Sequence, residues 1–106
     1  MDKTLISPHI MAANAGKAAG LLRAIANEHR LMVLCQLVEG ERNVSDLLAQ
    51  STLSQSALSQ HLARLRAQGL VATRRERQEI YYAIADPSVG KLIRTLAEIY
   101  RPEAFS

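Results

Sequence analysis

A single cysteine, Cys35, stands among 106 residues. It has no partner within the chain, which excludes a disulfide-stapled fold and fits a reducing compartment. No stretch approaches the roughly 18–20 apolar residues that a membrane span needs, and the N-terminus lacks the basic-then-apolar order of a secretory signal. A cytoplasmic protein with no membrane partner is therefore expected. Repeats, low-complexity stretches and long linkers are missing too, so residues 1–106 are expected to form one domain. There is no nucleophile beside a base, no spaced pair of carboxylates and no glycine-rich phosphate loop, which argues against an enzyme. His9, His29 and His61 form no ligand set at any recognisable spacing, so neither a metal nor another cofactor is expected.

What is there is an uneven distribution of charge. The net charge is only +3. Residues 1–52 balance five Lys and Arg against five acids, and residues 86–106 balance three against three. The middle, 53–85, sets Arg64, Arg66, Arg74, Arg75 and Arg77 against Glu76 and Glu79 alone, and so carries the whole excess. A basic segment on a neutral frame is the electrostatic footprint of a nucleic-acid partner.

Hydrophobic spacing places the elements. Met11, Ala15, Ala18, Leu22 and Ile25 step by four and three, which predicts a first helix over about 9–25. Asn27 caps a second helix whose Leu31, Leu34, Cys35 and Val38 share a face, with Gly40 as its stop. A short third helix runs from Ser45 to about Gln50. Ser54 caps a fourth that ends at Gly69. Only Ser51 to Ser54 separate the third and fourth helices, and two helices joined by so short a turn cross steeply, as in a helix-turn-helix. After Gly69 the period falls from 3.6 to 2: Val71 and Thr73, then Ile80, Tyr82 and Ile84, flank a polar tip from Arg74 to Gln78. Asp86 and Pro87 open a last helix with Val89, Leu92, Leu96 and Ile99 as its stripe. The expected fold is mainly α with a small β-hairpin, in the order α-α-α-α-β-β-α.

On the fourth helix Leu58, Leu62 and Leu65 lie within about 60° of one another at about 100° per residue, and so face the core. Ser56, Ser59, Gln60, Ala63 and Arg64 are left on the other side, with Gln55 at the N-terminal end. That face has no carboxylate to repel phosphates. Glutamine can pair at two points with adenine, serine can bond base or backbone, and alanine admits a thymine methyl. Arginines on a protruding ribbon can reach flanking phosphates or a narrowed minor groove. Ser54, Gln55, Ser56, Ser59, Gln60, Arg64, Arg74, Arg75 and Arg77 are thus the candidate contacts to double-stranded DNA. The apolar stripes of the first and last helices exceed what one domain of this size can cover, so a homodimer is expected.

The run Leu53-Ser-Gln-Ser-Ala-Leu-Ser-Gln-His-Leu-Ala-Arg-Leu-Arg, followed by Gly69-Leu70-Val71 and an arginine-rich turn into Tyr81-Tyr82, resembles the winged helix-turn-helix of the ArsR/SmtB repressors, closest to their HlyU/NolR/BigR branch. Asn27-Glu28-His29-Arg30-Leu31 resembles that family's entry into its second helix, and the resemblance covers about 15–101. It implies a dimer joined by the first and last helices and a repressor that binds an imperfect palindrome. An anti-silencing activator and a winged-helix protein-interaction module are the alternatives. Metal-sensing members carry Cys-x-Cys where this chain has Glu41-Arg42-Asn43-Val44-Ser45-Asp46, and a second family site keeps only Asp86 of its ligands, so the resemblance implies no metal site. Cys35 matches the first cysteine of the redox branch, but Arg101 stands where the second belongs. The resemblance leaves Cys35 as a small core residue or as a single redox-active thiol.

Overall fold

Polar side chains set where each helix begins. In the computed structural model, which describes residues 7–102, five helices and three short strands follow in the order α1 (Pro8–Ile25), α2 (Glu28–Val38), β1 (Arg42–Asn43), α3 (Val44–Ala49), α4 (Gln55–Ala67), β2 (Val71–Glu76), β3 (Glu79–Ile84) and α5 (Pro87–Ile99). The Asn27 carboxamide oxygen accepts from the backbone N–H of His29 and Arg30 at 2.9 and 3.0 Å. Ser54 Oγ accepts from Ala57 N–H at 3.2 Å, and Asp86 Oδ1 from Ser88 N–H at 2.9 Å ahead of Pro87. Each satisfies a helix-end donor that nothing else in the helix can. At the far end of α4, Gly69 takes φ +75°, and the N–H groups of Gly69 and Leu70 reach back to the carbonyls of Arg66 and Leu65. This left-handed closure turns the chain into β2 and suits glycine alone at low cost.

Several boundaries differ from the sequence expectation. The third helix starts at Val44 with Asn43 as its cap, one residue before Ser45, because the Asn43 side chain already meets Asp46 N–H at 2.8 Å. The hairpin tip is shorter than expected: Glu76 pairs with Glu79, so Arg74 and Arg75 lie within β2 and only Arg77 and Gln78 form the turn. A third strand joins the sheet, since β1 pairs antiparallel with β3 (Arg42 with Tyr82, Asn43 with Tyr81), giving the order β1-β3-β2. Two residues carry no periodicity, which is why β1 was invisible in the sequence. On α2 the fully buried face is Arg30, Val33, Leu34 and Leu37, while Leu31, Cys35 and Val38 pack at its margin.

The core is built around α4. Leu58, Leu62 and Leu65 are at most 1% exposed and meet Leu34 of α2, Leu47 of α3 and Val89 of α5 in one cluster. The helix α1 buries only Ala24 and Ile25 of its last turn, with Leu21 packed at the margin of the core. Ile10, Met11 and Leu22 face outward. Removing a fully enclosed leucine leaves a cavity that surrounding side chains fill only in part. Leu62→Ala is therefore expected to cost about 2–5 kcal/mol of folding stability. Urea unfolding followed by circular dichroism checks this: the midpoint should fall with the slope unchanged.

Candidate nucleic-acid interface

The inward leucines of α4 dictate what points outward. Ser56, Ser59, Gln60, Ala63 and Arg64 are all exposed, on the side away from Leu58, Leu62 and Leu65, and Gln55 is exposed at the N-terminal end of the helix. No Asp or Glu occurs between Asp46 and Glu76. Ser54 is also exposed, but its hydroxyl oxygen is engaged as the α4 cap and lies 3.3 Å from Ser56 Oγ. A cleft of about 330 Å³ runs between the N-terminal end of α4 and the hairpin, with Gln55 and Ser59 on one wall and Gln78, Glu79, Ile80 and Tyr82 on the other. Helix face and hairpin therefore present one continuous polar surface.

The three hairpin arginines are not equivalent. Arg75 pairs across the ladder with Ile80, on the sheet face that fronts this cleft, and its Nε donates to the Arg77 carbonyl at 3.1 Å. Arg77 occupies the turn at φ +58°, where an L residue is strained by about 1–2 kcal/mol and glycine is not. Arg74 sits on the opposite face. Its Nε and Nη2 each donate to a Glu41 oxygen at 2.7 Å, its Nη1 reaches Glu76 at 3.3 Å, and its guanidinium carbon lies 4.5 Å from the centre of the Tyr81 ring. The hydrogen bonds from Arg74 hold the Glu41 carboxyl below the ordinary carboxylate range. Beside them the Tyr81 hydroxyl donates to Glu79 at 2.9 Å, and the Asn43 amide donates to the same oxygen at 3.2 Å.

Two helices joined by the short connection from Gln50 to Ser54, an acid-free outward face and a cationic hairpin are the parts of a DNA-reading module. A family model described as "Bacterial regulatory protein, arsR family" matches residues 27–73. The transcriptional activator HlyU of Vibrio cholerae is 48% identical over 90 residues, which span 85% of this chain and 83% of HlyU. The chain belongs to the arsR family. The nodulation protein NolR of Rhizobium meliloti is 52% identical to this arsR-family chain over 83 residues, 78% of it and 68% of NolR. The crystal structure of the transcriptional repressor BigR from Xylella fastidiosa matches with a TM-score of 0.87, with 35% identity over 92% of this chain and 100% of that one. As an arsR-family member the chain is a DNA-binding transcriptional regulator of winged helix-turn-helix type, with β2 and β3 as the wing, from a family of regulators rather than enzymes.

One part of this regulator was not legible in the sequence. Arg30 is buried, 6% exposed, and has no carboxylate partner among the described residues. Its Nε donates to the Ala24 carbonyl at 2.6 Å and its Nη2 to Arg23 at 3.3 Å, so it caps the last turn of α1, where the helix dipole favours a cation. Its Nη1 lies 3.4 Å from His61 Nδ1 on α4. The His29 and His61 rings lie with centroids 5.7 Å apart and planes tilted by 36°, although no spacing in the sequence pairs them. The signal available was the placement of Arg30 on the Val33, Leu34, Leu37 stripe of α2. Cys35 is half-buried on the same helix, and burial raises its thiol above the usual value, which lowers the thiolate fraction. Among the described residues no three His, Cys, Asp or Glu side chains cluster as metal ligands, and no helix is long and apolar enough to cross a membrane.

Arg30 is a donor at every accessible pH, so its contact needs His61 Nδ1 as a lone-pair acceptor, with the proton on Nε2. Burial, then the charges of Arg30, His29 and Arg64, hold His61 below its ordinary value. The folded chain thus favours neutral His61, and this contribution is complete above the unfolded value of about 6.5 and lost as pH falls through the depressed folded value. Melting followed from pH 7.5 to 5.0 should show the wild-type midpoint dropping more than that of His61→Gln, whose amide oxygen accepts from Arg30 without titrating. Equal slopes for the two proteins would contradict the assignment.

Proposed function

We propose that this chain is a homodimeric cytoplasmic repressor that binds an imperfect palindrome, with α4 in the major groove and the wing over the flanking backbone. The observation that carries this reading is the outward face of α4, short polar side chains without a carboxylate, held beside a cationic hairpin by three buried leucines. In it Gln55, Ser56, Ser59 and Gln60 read base edges, Ser54 sets the start of the helix against a phosphate, and Arg64, Arg75 and Arg77 neutralise phosphates. The strain at Arg77 supports the role, because a cation kept where glycine would be more stable points to selection for its charge. The homodimer is supported by apolar side chains left in solvent on the two terminal helices: Met11 and Leu22 of α1, Ile99 at the end of α5, and Tyr100 next to it. Ile99 is 62% and Tyr100 79% exposed, and a two-fold partner would cover them. No metal or other cofactor enters this reading.

A second reading has a specific observation in its favour. HlyU bears the name of a transcriptional activator, and occupancy of the same kind of site activates a gene when it displaces a silencing protein. A reporter promoter separates the two: repression lowers output with no other protein added, whereas displacement raises output only where a silencer is present.

Base readout and backbone attraction differ in kind, which gives the test of the interface. Gln60→Ala should cost about 1–3 kcal/mol on the operator and little on scrambled DNA. Arg77→Ala keeps the left-handed strain and removes the charge. It should weaken both DNAs and lower the salt slope by about one unit per lost phosphate contact, doubled in a dimer. Binding isotherms at several salt concentrations, with sedimentation at micromolar protein to fix the stoichiometry, check both. Equal losses on both DNAs for Gln60→Ala, or a monomer in the complex, would overturn the reading.

A further inference from the structure

We propose that Glu41 is a positioning residue for DNA binding: its two-point grip on Arg74 fixes the angle of the wing against α4, and Arg74 serves the wing's posture rather than a phosphate. The inference rests on the DNA-binding reading above and assigns a role within it. Glu41 lies just before β1, the strand that pairs with β3, whereas Arg74 lies in β2 on the far edge of the sheet. The Glu41–Arg74 pair therefore spans all three strands from outside, over the Tyr81 ring of β3.

Three of the five N–H donors of Arg74 are committed. Nε and Nη2 each give one to Glu41 and Nη1 gives one to Glu76, so a DNA phosphate at this guanidinium would sit beside two carboxylates that already neutralise it. The face that Arg74 shares also carries Glu76 and Glu79, and a guanidinium that already holds two carboxylates, Glu41 and Glu76, makes poor ground for phosphate. Arg75 and Arg77 are differently placed, one on the cleft side of the sheet and one at the turn. An exposed ion pair usually contributes little to stability. A planar two-point pair stacked on an aromatic ring instead fixes geometry, since both partners must keep their relative orientation. Two rigid elements must meet one duplex together, and a small misplacement of the wing removes Arg75 and Arg77 from their phosphates.

The sign of one effect separates this role from simple electrostatics. Removing a negative charge near DNA should tighten binding, whereas removing a positioning residue should weaken it. Wild type, Glu41→Gln, Glu41→Asp, Arg74→Gln and the Glu41→Gln/Arg74→Gln pair are compared on operator and scrambled DNA across salt concentrations, with thermal melts confirming that each is folded. Glu41→Gln and Arg74→Gln should each weaken operator binding about tenfold, a coupling of the size seen between contacting residues. The double variant should be no weaker than the worse single, and Glu41→Gln should lower the salt slope as much as Arg74→Gln does, since both release the same wing contacts. Glu41→Asp keeps the charge but shortens the reach, and should also lose affinity. Operator binding by Glu41→Gln as tight as wild type or tighter overturns the proposal, as does a salt slope lowered by Arg74→Gln and not by Glu41→Gln. Wild-type protein that did not prefer operator over scrambled DNA would overturn the DNA-reading assignment itself, and this one with it.

Discussion

The surface offered by this regulator depends on the burial of three leucines on one helix. Leu58, Leu62 and Leu65 share a face of α4 and are sealed against Leu34, Leu47 and Val89. Because a helix is rigid and its side chains are fixed at about 100° intervals, sealing one face leaves no freedom in the other. The polar side chains of α4 are aimed by the core rather than by contacts of their own. The turn at Gly69 then fixes where the wing leaves α4, so the core reaches both halves of the interface.

A second joint ties that core to α1. Arg30 closes the carbonyl end of α1 and reaches His61 on α4, so one buried guanidinium links α1, with Met11 and Leu22 turned outward, to α4. A guanidinium without a carboxylate partner is costly to bury unless its donors are satisfied, and here carbonyl oxygens and a neutral imidazole satisfy them. Wing and joint follow the same logic at opposite sides of α4. In each, an arginine positioned by several acceptors holds two elements in register.

The features legible in the sequence were those decided within one turn of chain. Asn27, Ser54 and Asp86 cap the helices they were expected to cap, because a cap needs a partner only two or three residues away. The outward face of α4 followed from the 3.6-residue period and the inward leucines. What escaped notice joins residues far apart: Arg30 to His61 across 31 positions, Arg74 to Glu41 across 33, Asn43 to Glu79 across 36. Local spacing holds no trace of such pairs, and a two-residue strand such as β1 is too short to show a period. Alternation of faces along β2 places Arg74 and Arg75, neighbours in sequence, on opposite sides of the sheet.

The central claim is that α4 reads base sequence, twice, through two copies related by a two-fold axis. Sequencing the DNA fragments that purified protein retains from a random pool, at physiological salt, addresses it most directly. The account predicts one enriched motif whose halves mirror each other and whose centres lie about 10 base pairs, or a whole multiple of that, apart along the duplex. A retained pool with the same sequence content as the input, or an enriched motif without two-fold symmetry, would contradict it.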